Sequence, residues 1–197
     1  MTRVVGILLA AGEGARFGGD KLLATIATSA SERAEAPLGV MAGRNLVEAL
    51  PESIAVVRPR DAALAAHLAE AGLRVVPCAN AGDGMGATLA CGIATAAGAD
   101  GWVIALGDMP WIAPATIRAV ANALDGGADI VAPSYHGERG HPVGFSRRHR
   151  AALAALTGDA GARSLIERHL DRLTWIDVED AGVLQDVDTP GDLPHPS

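Results

Sequence analysis

The stretch Leu8-Leu9-Ala10-Ala11-Gly12-Glu13-Gly14-Ala15-Arg16-Phe17-Gly18-Gly19-Asp20-Lys21 places four glycines, an arginine and a lysine directly after an apolar run. Glycines let backbone N–H groups converge on phosphate oxygens, and Arg16 and Lys21 bring compensating charge. A G-x-G-x-x-G dinucleotide fingerprint needs glycine at position 17, where Phe17 stands. A P-loop beginning at Gly14 needs lysine and then serine or threonine where Asp20 and Lys21 occur. Neither motif fits. A simple surface turn, in turn, has no need of both Arg16 and Lys21.

A second stretch, Trp102-Val103-Ile104-Ala105-Leu106-Gly107-Asp108-Met109-Pro110, sets one carboxylate at the carboxyl end of a hydrophobic strand. Open parallel sheets bind their ligands at that edge. Asp108 is therefore a candidate ligand for Mg²⁺, which takes one or two carboxylates and completes its shell with phosphate oxygens and water. In Asp186-Val187-Asp188-Thr189-Pro190, the two carboxylates alternate about Val187, so either could supply the second ligand. Asn80-Ala81-Gly82-Asp83-Gly84-Met85 is a glycine-rich loop opening a helix, suited to holding a ribose or base edge. His141, in Gly140-His141-Pro142, follows a turn and could face a second substrate.

These residues need a scaffold, and the apolar pattern supplies one. Strand-length runs at Val4–Ala10, Ile54–Arg58, Arg74–Cys78, Trp102–Leu106 and Asp129–Ser134 alternate with helical periods at about Gly39–Leu50, Ala62–Ala71, Met85–Ala97 and Pro114–Leu124. Strands that are almost continuously hydrophobic imply a mostly parallel sheet covered on both faces. After Tyr135 the pattern predicts a turn, a returning strand over Pro142–Ser146, a helix over about Ala160–Leu170 and a strand over Leu173–Val178. This tail reads as antiparallel or mixed, lying over the end of the sheet where ligands sit. Residues 27–36 are small and polar and read as a flexible insertion.

The whole chain, 1–197, reads as one domain of ordinary size. A net charge of −7, no basic stripe and few aromatics argue against nucleic acid as a partner. The run at Val4–Ala10 is too short to span a bilayer and leads into a glycine loop, so no membrane partner is expected and a cytoplasmic location is. Cys78 and Cys91, in no metal-ligand spacing, read as thiols of a reducing compartment.

Taken together, these stretches resemble the MobA-like NTP transferase family, in its molybdenum cofactor cytidylyltransferase-like branch. The resemblance rests on Leu9–Lys21, Gly107-Asp108-Met109-Pro110, Gly140-His141-Pro142, Gly158-Asp159-Ala160-Gly161-Ala162-Arg163 and Asp186-Val187-Asp188-Thr189-Pro190, in family order. It implies a three-layer α/β/α nucleotidyltransferase (Rossmann-like) fold with a mostly parallel sheet and a mixed C-terminal part. It further implies a CTP or GTP donor, Mg²⁺ and a phosphorylated acceptor such as molybdopterin or the molybdenum cofactor, with a molybdoenzyme as a candidate partner. Ala11, where guanylyl-transferring relatives tend to carry glycine, leans towards cytidine.

On this resemblance the nucleotide-binding residues are Leu9, Ala10, Ala11, Gly12, Gly14, Gly18, Lys21, Asn80, Gly84 and Met85. Arg16, Lys21 and Asp108 are the catalytic set, Asp108 with Asp188 (or Asp186) holds the metal, and His141 and Pro142 meet the acceptor. Relatives carry a short Gly-Arg-Pro-Leu turn where this chain has residues 27–36 and a late Pro37-Leu38, a departure that bears on the acceptor. A sugar phosphate or phospholactate acceptor, or a non-catalytic nucleotide-binding module that delivers a cofactor, are the alternative readings.

Overall fold

The computed structural model describes residues 2–12, 14, 17–29, 32–159 and 161–193, with backbone alone at 27–29 and 32–34. Its centre is β1 (Val4–Leu9), whose alternate side chains enter opposite cores. Leu8 faces helices α1 (Leu38–Ala49), α2 (Ala62–Glu70) and α4 (Pro114–Asp125), while Ile7 and Leu9 face α3 (Met85–Thr95), α5 (Arg150–Ala154) and α6 (Arg163–Arg168). Both sheet faces are thus covered, which is why the strands carry no polar alternation. Each fully buried aliphatic side chain contributes roughly 1.5–3 kcal/mol to such a core.

Flanking β1, and parallel to it, are β4 (Ser53–Val57) and β6 (Gly101–Leu106), and β5 (Arg74–Pro77) pairs parallel with β4. On the other side β9 (Val143–Ser146) runs antiparallel between β6 and β7 (Ile130–Tyr135), and β10 (Leu173–Asp177) pairs parallel with β7. The sheet order is β10-β7-β9-β6-β1-β4-β5, with the two-residue β8 (Glu138–Arg139) folded back on β7. His136 and Gly137 both have positive φ, 50° and 84°, and form the two-residue link of that hairpin. The expected three-layer, mostly parallel α/β/α architecture is the one observed.

Three parts of the expectation change. β9 lies inside the sheet rather than over its end; it is residues 181–192 that reach the carboxyl edge of the parallel strands, beside Asp108. The helix expected over 160–170 is confined to Arg163–Arg168; Gly158 and Gly161, both at positive φ, precede it in non-helical conformations. Residues 27–36, expected as a flexible insertion, fall in an antiparallel pair, β2 (Thr25–Ser29) and β3 (Glu32–Pro37), a pairing the sequence reading did not include; residues 30 and 31 lie outside the described residues. Among the described residues no helix is long and apolar enough to cross a membrane.

Candidate functional site

Lys21 owes its position to the glycine loop and to its neighbour. The loop closes on itself where the Phe17 N–H donates to the Gly14 carbonyl at 2.8 Å, and Gly14 sits at φ 58°. A Cβ on Gly14 would stand 2.8 Å from the Gly19 carbonyl oxygen and 3.0 Å from Lys21 Cβ, so glycine is needed there for room as well as for conformation. Leu22 is buried beneath the short 3₁₀ turn Lys21–Leu23, which turns the adjacent lysine towards the end of β6.

There the ammonium of Lys21 meets two carboxylates. Its Nζ lies 2.9 Å from Asp108 Oδ2 and 3.6 Å from Asp188 Oδ1. Asp108 follows β6 directly. Asp188 comes from the C-terminal segment, which is stitched across the strand ends: the His141 N–H donates to the Val183 carbonyl at 2.9 Å, and the Val187 N–H to the Asp108 carbonyl at 3.0 Å. Val187 is fully buried and Asp186 is exposed, so Asp188 is the carboxylate that the segment brings to Lys21. Asp180 anchors the approach to this segment, accepting from the Ala113 N–H and the Thr116 hydroxyl at the start of α4.

A cleft of about 540 Å³ opens beside this cluster. Leu9, Ala11, Gly12, Gly14, Lys21, Gly84, Met85 and Asp108, all expected in the site, line it. Ala10 does not; strand alternation turns it to a cavity of about 410 Å³ on the other side of the loop, shared with Gly12, Lys21 and Arg58. Gly18 is exposed at the loop surface and Asn80 is exposed beyond the cleft, its Oδ1 accepting from the Cys78 thiol at 3.2 Å. Ala81 and Gly82 stand at the cleft wall where Asn80 was expected. Arg16 lies outside the described residues.

A second pocket of about 310 Å³ adjoins the first and shares Leu9, Met85, Leu106 and Asp159 with it. His141 lines it and Pro142, joined through a cis peptide bond, is buried behind. Burial, reinforced by the Arg139 cation and opposed by Asp108, pushes the His141 imidazole down to about 4. His141 is therefore neutral near pH 7, and its buried Nδ1 has no hydrogen-bond partner among the described residues.

Sequence reasoning missed Arg58, Thr88, Asp159, Arg139 and Arg163 as lining residues. Arg58 ends an apolar strand run, as Asp108 does, and that shared position was its available signal. Asp159 and Arg163 belong to Gly158–Arg163, a stretch quoted for its pattern and given no role. Gly84 explains how Asp159 gets there. The Gly86 N–H donates to the Gly158 carbonyl at 2.7 Å, and a Cβ on Gly84 would lie 2.5 Å from Asp159 Oδ1, so residues 157–159 dock against the start of α3.

Residues 6–173 match the family model described as the MobA-like NTP transferase domain. The chain belongs to the MobA-like NTP transferase family. It is a nucleotidyltransferase of that family. The chain is 28% identical to Rv0371c of Mycobacterium tuberculosis H37Rv, whose crystal structure it matches over 97% of this chain and 95% of that one with a TM-score of 0.79. A further crystal structure of Rv0371c is described as a complex with manganese. A nucleotidyl transferase from Methanothermobacter thermautotroptrophicus, Mth528, shares the fold with a TM-score of 0.78 at 22% identity, over 96% and 94% of the two chains. The purine catabolism protein PucB of Bacillus subtilis (strain 168) is 33% identical over 117 residues, 57% of this chain. That match spans 56% of PucB's length.

Proposed function

We propose that this MobA-like transferase moves a nucleoside monophosphate, CMP by preference, from an NTP to the phosphate of a molybdopterin-type acceptor, with release of pyrophosphate. The observation that carries the reading is Lys21 held between Asp108 and Asp188 at the mouth of a cleft walled by a glycine loop. Bringing two polyanions into line is the difficulty in nucleotidyl transfer, so positioning and charge neutralisation supply most of the catalysis.

The acceptor phosphate is already ionised near neutral pH and needs no strong base. Neutral His141 suits this: it can orient an acceptor by hydrogen bonding without being required to take a proton. The Gly12–Gly19 loop, with Arg16 and Arg58, binds the triphosphate. Lys21 stabilises charge at the phosphate being transferred.

The residues present fit a magnesium ion. Asp108 and Asp188 both turn oxygens towards one positive charge, the Lys21 ammonium. Two carboxylates suit a cation that completes its shell with phosphate oxygens and water. When bound, Mg²⁺ would neutralise part of the negative charge of the triphosphate.

The acceptor reading rests on the second pocket. Its walls are Leu89, Ile104, Val143, Phe145 and Ile166, with Arg139, Arg163 and Asp159 among them. Apolar walls with a few charged groups suit a flat heterocycle bearing an anion and an N–H edge. A sugar phosphate, whose hydroxyls each need a partner, is less well served. The deciding assay is pyrophosphate release with CTP, GTP, ATP or UTP, with and without molybdopterin. Release with CTP that depends on both Mg²⁺ and molybdopterin is the expected result. Release with a sugar phosphate or phospholactate instead would overturn the acceptor, and nucleotide binding with no release under any pairing would overturn the reaction.

A further inference from the structure

Asp188 lies close to the end of the described chain, on a segment with little core of its own, yet the reading above needs its carboxylate held beside Lys21. Upstream, the buried Val187 side chain and the Val187 N–H bond to the Asp108 carbonyl fix the segment. Downstream, one carboxylate oxygen gathers three donors. Asp192 Oδ2 accepts from the Asp188 N–H at 3.0 Å, the Thr189 N–H at 2.7 Å and the Thr189 hydroxyl at 3.0 Å. Thr189 and Asp192 form a capping box around the Pro190–Asp192 turn, and Pro190 restricts the backbone between them.

The first of these bonds is the informative one. A turn capped only for its own sake would be served by the two Thr189 donors. The bond to the Asp188 N–H reaches back to the residue whose carboxylate faces Lys21. It ties down the Val187–Asp188 peptide from the downstream turn, while the Val187 N–H ties down the peptide before it, so two successive peptides leading into Asp188 are anchored.

We propose that Asp192 is a positioning residue: by binding the Asp188 and Thr189 backbone it aims the Asp188 carboxylate at Lys21 and at the divalent cation, without touching substrate itself. This rests on the reading of Asp108 and Asp188 as the cation-holding pair. Groups that orient a metal's direct ligands typically affect metal affinity or activity about 10–100-fold.

The test is Mn²⁺ binding, followed by electron paramagnetic resonance with a non-hydrolysable CTP analogue present, for the parent protein, Asp188→Asn, Asp192→Ala and Asp192→Asn. Circular dichroism checks that each variant is folded. Asparagine keeps an oxygen acceptor in the same place, so Asp192→Asn should bind Mn²⁺ within about threefold of the parent, whereas Asp192→Ala should bind at least about tenfold more weakly. In turnover assays Asp192→Ala should need correspondingly more Mg²⁺ while the KM for nucleotide moves little. Parent-like Mn²⁺ affinity in Asp192→Ala, with Asp188→Asn impaired, would overturn the role of Asp192 alone. An Asp192→Asn as weak as Asp192→Ala would show that charge and not hydrogen bonding matters, and would also overturn it. Parent-like affinity in Asp188→Asn would instead remove the cation-holding pair on which the proposal stands.

Discussion

Lys21 and Asp108 stand 87 residues apart in the chain and meet at 2.9 Å, one delivered by the loop after β1 and the other by the end of β6. β1 and β6 are adjacent parallel strands in register from Val4 opposite Gly101 to Leu9 opposite Leu106. Two neighbouring parallel strands end on the same sheet edge, so their following loops meet there whatever their separation in sequence. The pairing is therefore a direct product of strand order, and Asp188 is added to it by a segment bonded to the Asp108 carbonyl.

Replacing Lys21 by alanine tests the cationic half of this relationship. Loss of one preorganised charge-stabilising donor costs about 2–4 kcal/mol of barrier, so turnover should fall roughly 30- to 1,000-fold. The ammonium and a divalent cation draw on the same carboxylate oxygens, so Lys21→Ala should bind Mn²⁺ no more weakly than the parent. Steady-state pyrophosphate release measures the first effect and calorimetric titration with Mn²⁺ the second.

Removing the Asp108 carboxylate should abolish pyrophosphate release while the protein stays folded. The backbone carbonyl of Asp108 that receives the Val187 N–H survives in Asp108→Ala, so the C-terminal segment keeps its attachment. A parent-like circular dichroism spectrum together with loss of activity is the expected pair of results. Full activity in this variant would take Asp108 out of the reaction.

Arg58 directly follows β4 and lines both the 540 Å³ cleft and the 410 Å³ cavity behind the glycine loop. A guanidinium there adds charge-assisted hydrogen bonds to phosphate, each worth about 1.5–3 kcal/mol. Arg58→Met should therefore weaken CTP binding about 10- to 100-fold in equilibrium titration, with a smaller effect on the rate at saturating nucleotide.

Much of this arrangement was legible in the sequence because its signals were local. The glycine loop, the strand-terminal Asp108 and the apolar runs report their own surroundings, and a sheet covered on both faces makes its strands read as uninterrupted hydrophobic stretches. The insertion of β9 between β6 and β7 was not legible, since no local pattern encodes which strands become neighbours. Helix α5 is five residues long and too short to show a helical period. Strands β2 and β3 include small and polar residues with weak strand propensity, so their pairing could not be read from composition, which pointed to a flexible insertion. Asn80 had a side chain suited to ligand contact, but the Cys78 thiol engages it. Asp159 reaches the cleft because residues 157–159 dock on Gly84 and Gly86, a tertiary contact.

His141 gives the protein an acid-sensitive component. Burial lowers its pKa from 6.5 to about 4 in the folded chain, so between these values the unfolded chain takes up a proton that the folded chain does not. Its contribution is therefore fully present above pH 6.5, declines as the pH falls, and is exhausted once the folded form is also protonated near pH 4. A shift of that size corresponds to about 3 kcal/mol at most between the two limits. His149, also lowered by burial but opposed by Asp129, acts in the same direction, so the effect of His141 must be read by difference. In His141→Gln the fall in thermal midpoint from pH 7 to pH 4.5 should be shallower than in the parent, measured by circular dichroism at matched ionic strength. Glutamine keeps hydrogen-bonding capacity at the acceptor pocket and does not titrate in this range, so parallel curves for the two proteins would mean that His141 is not held neutral by its surroundings.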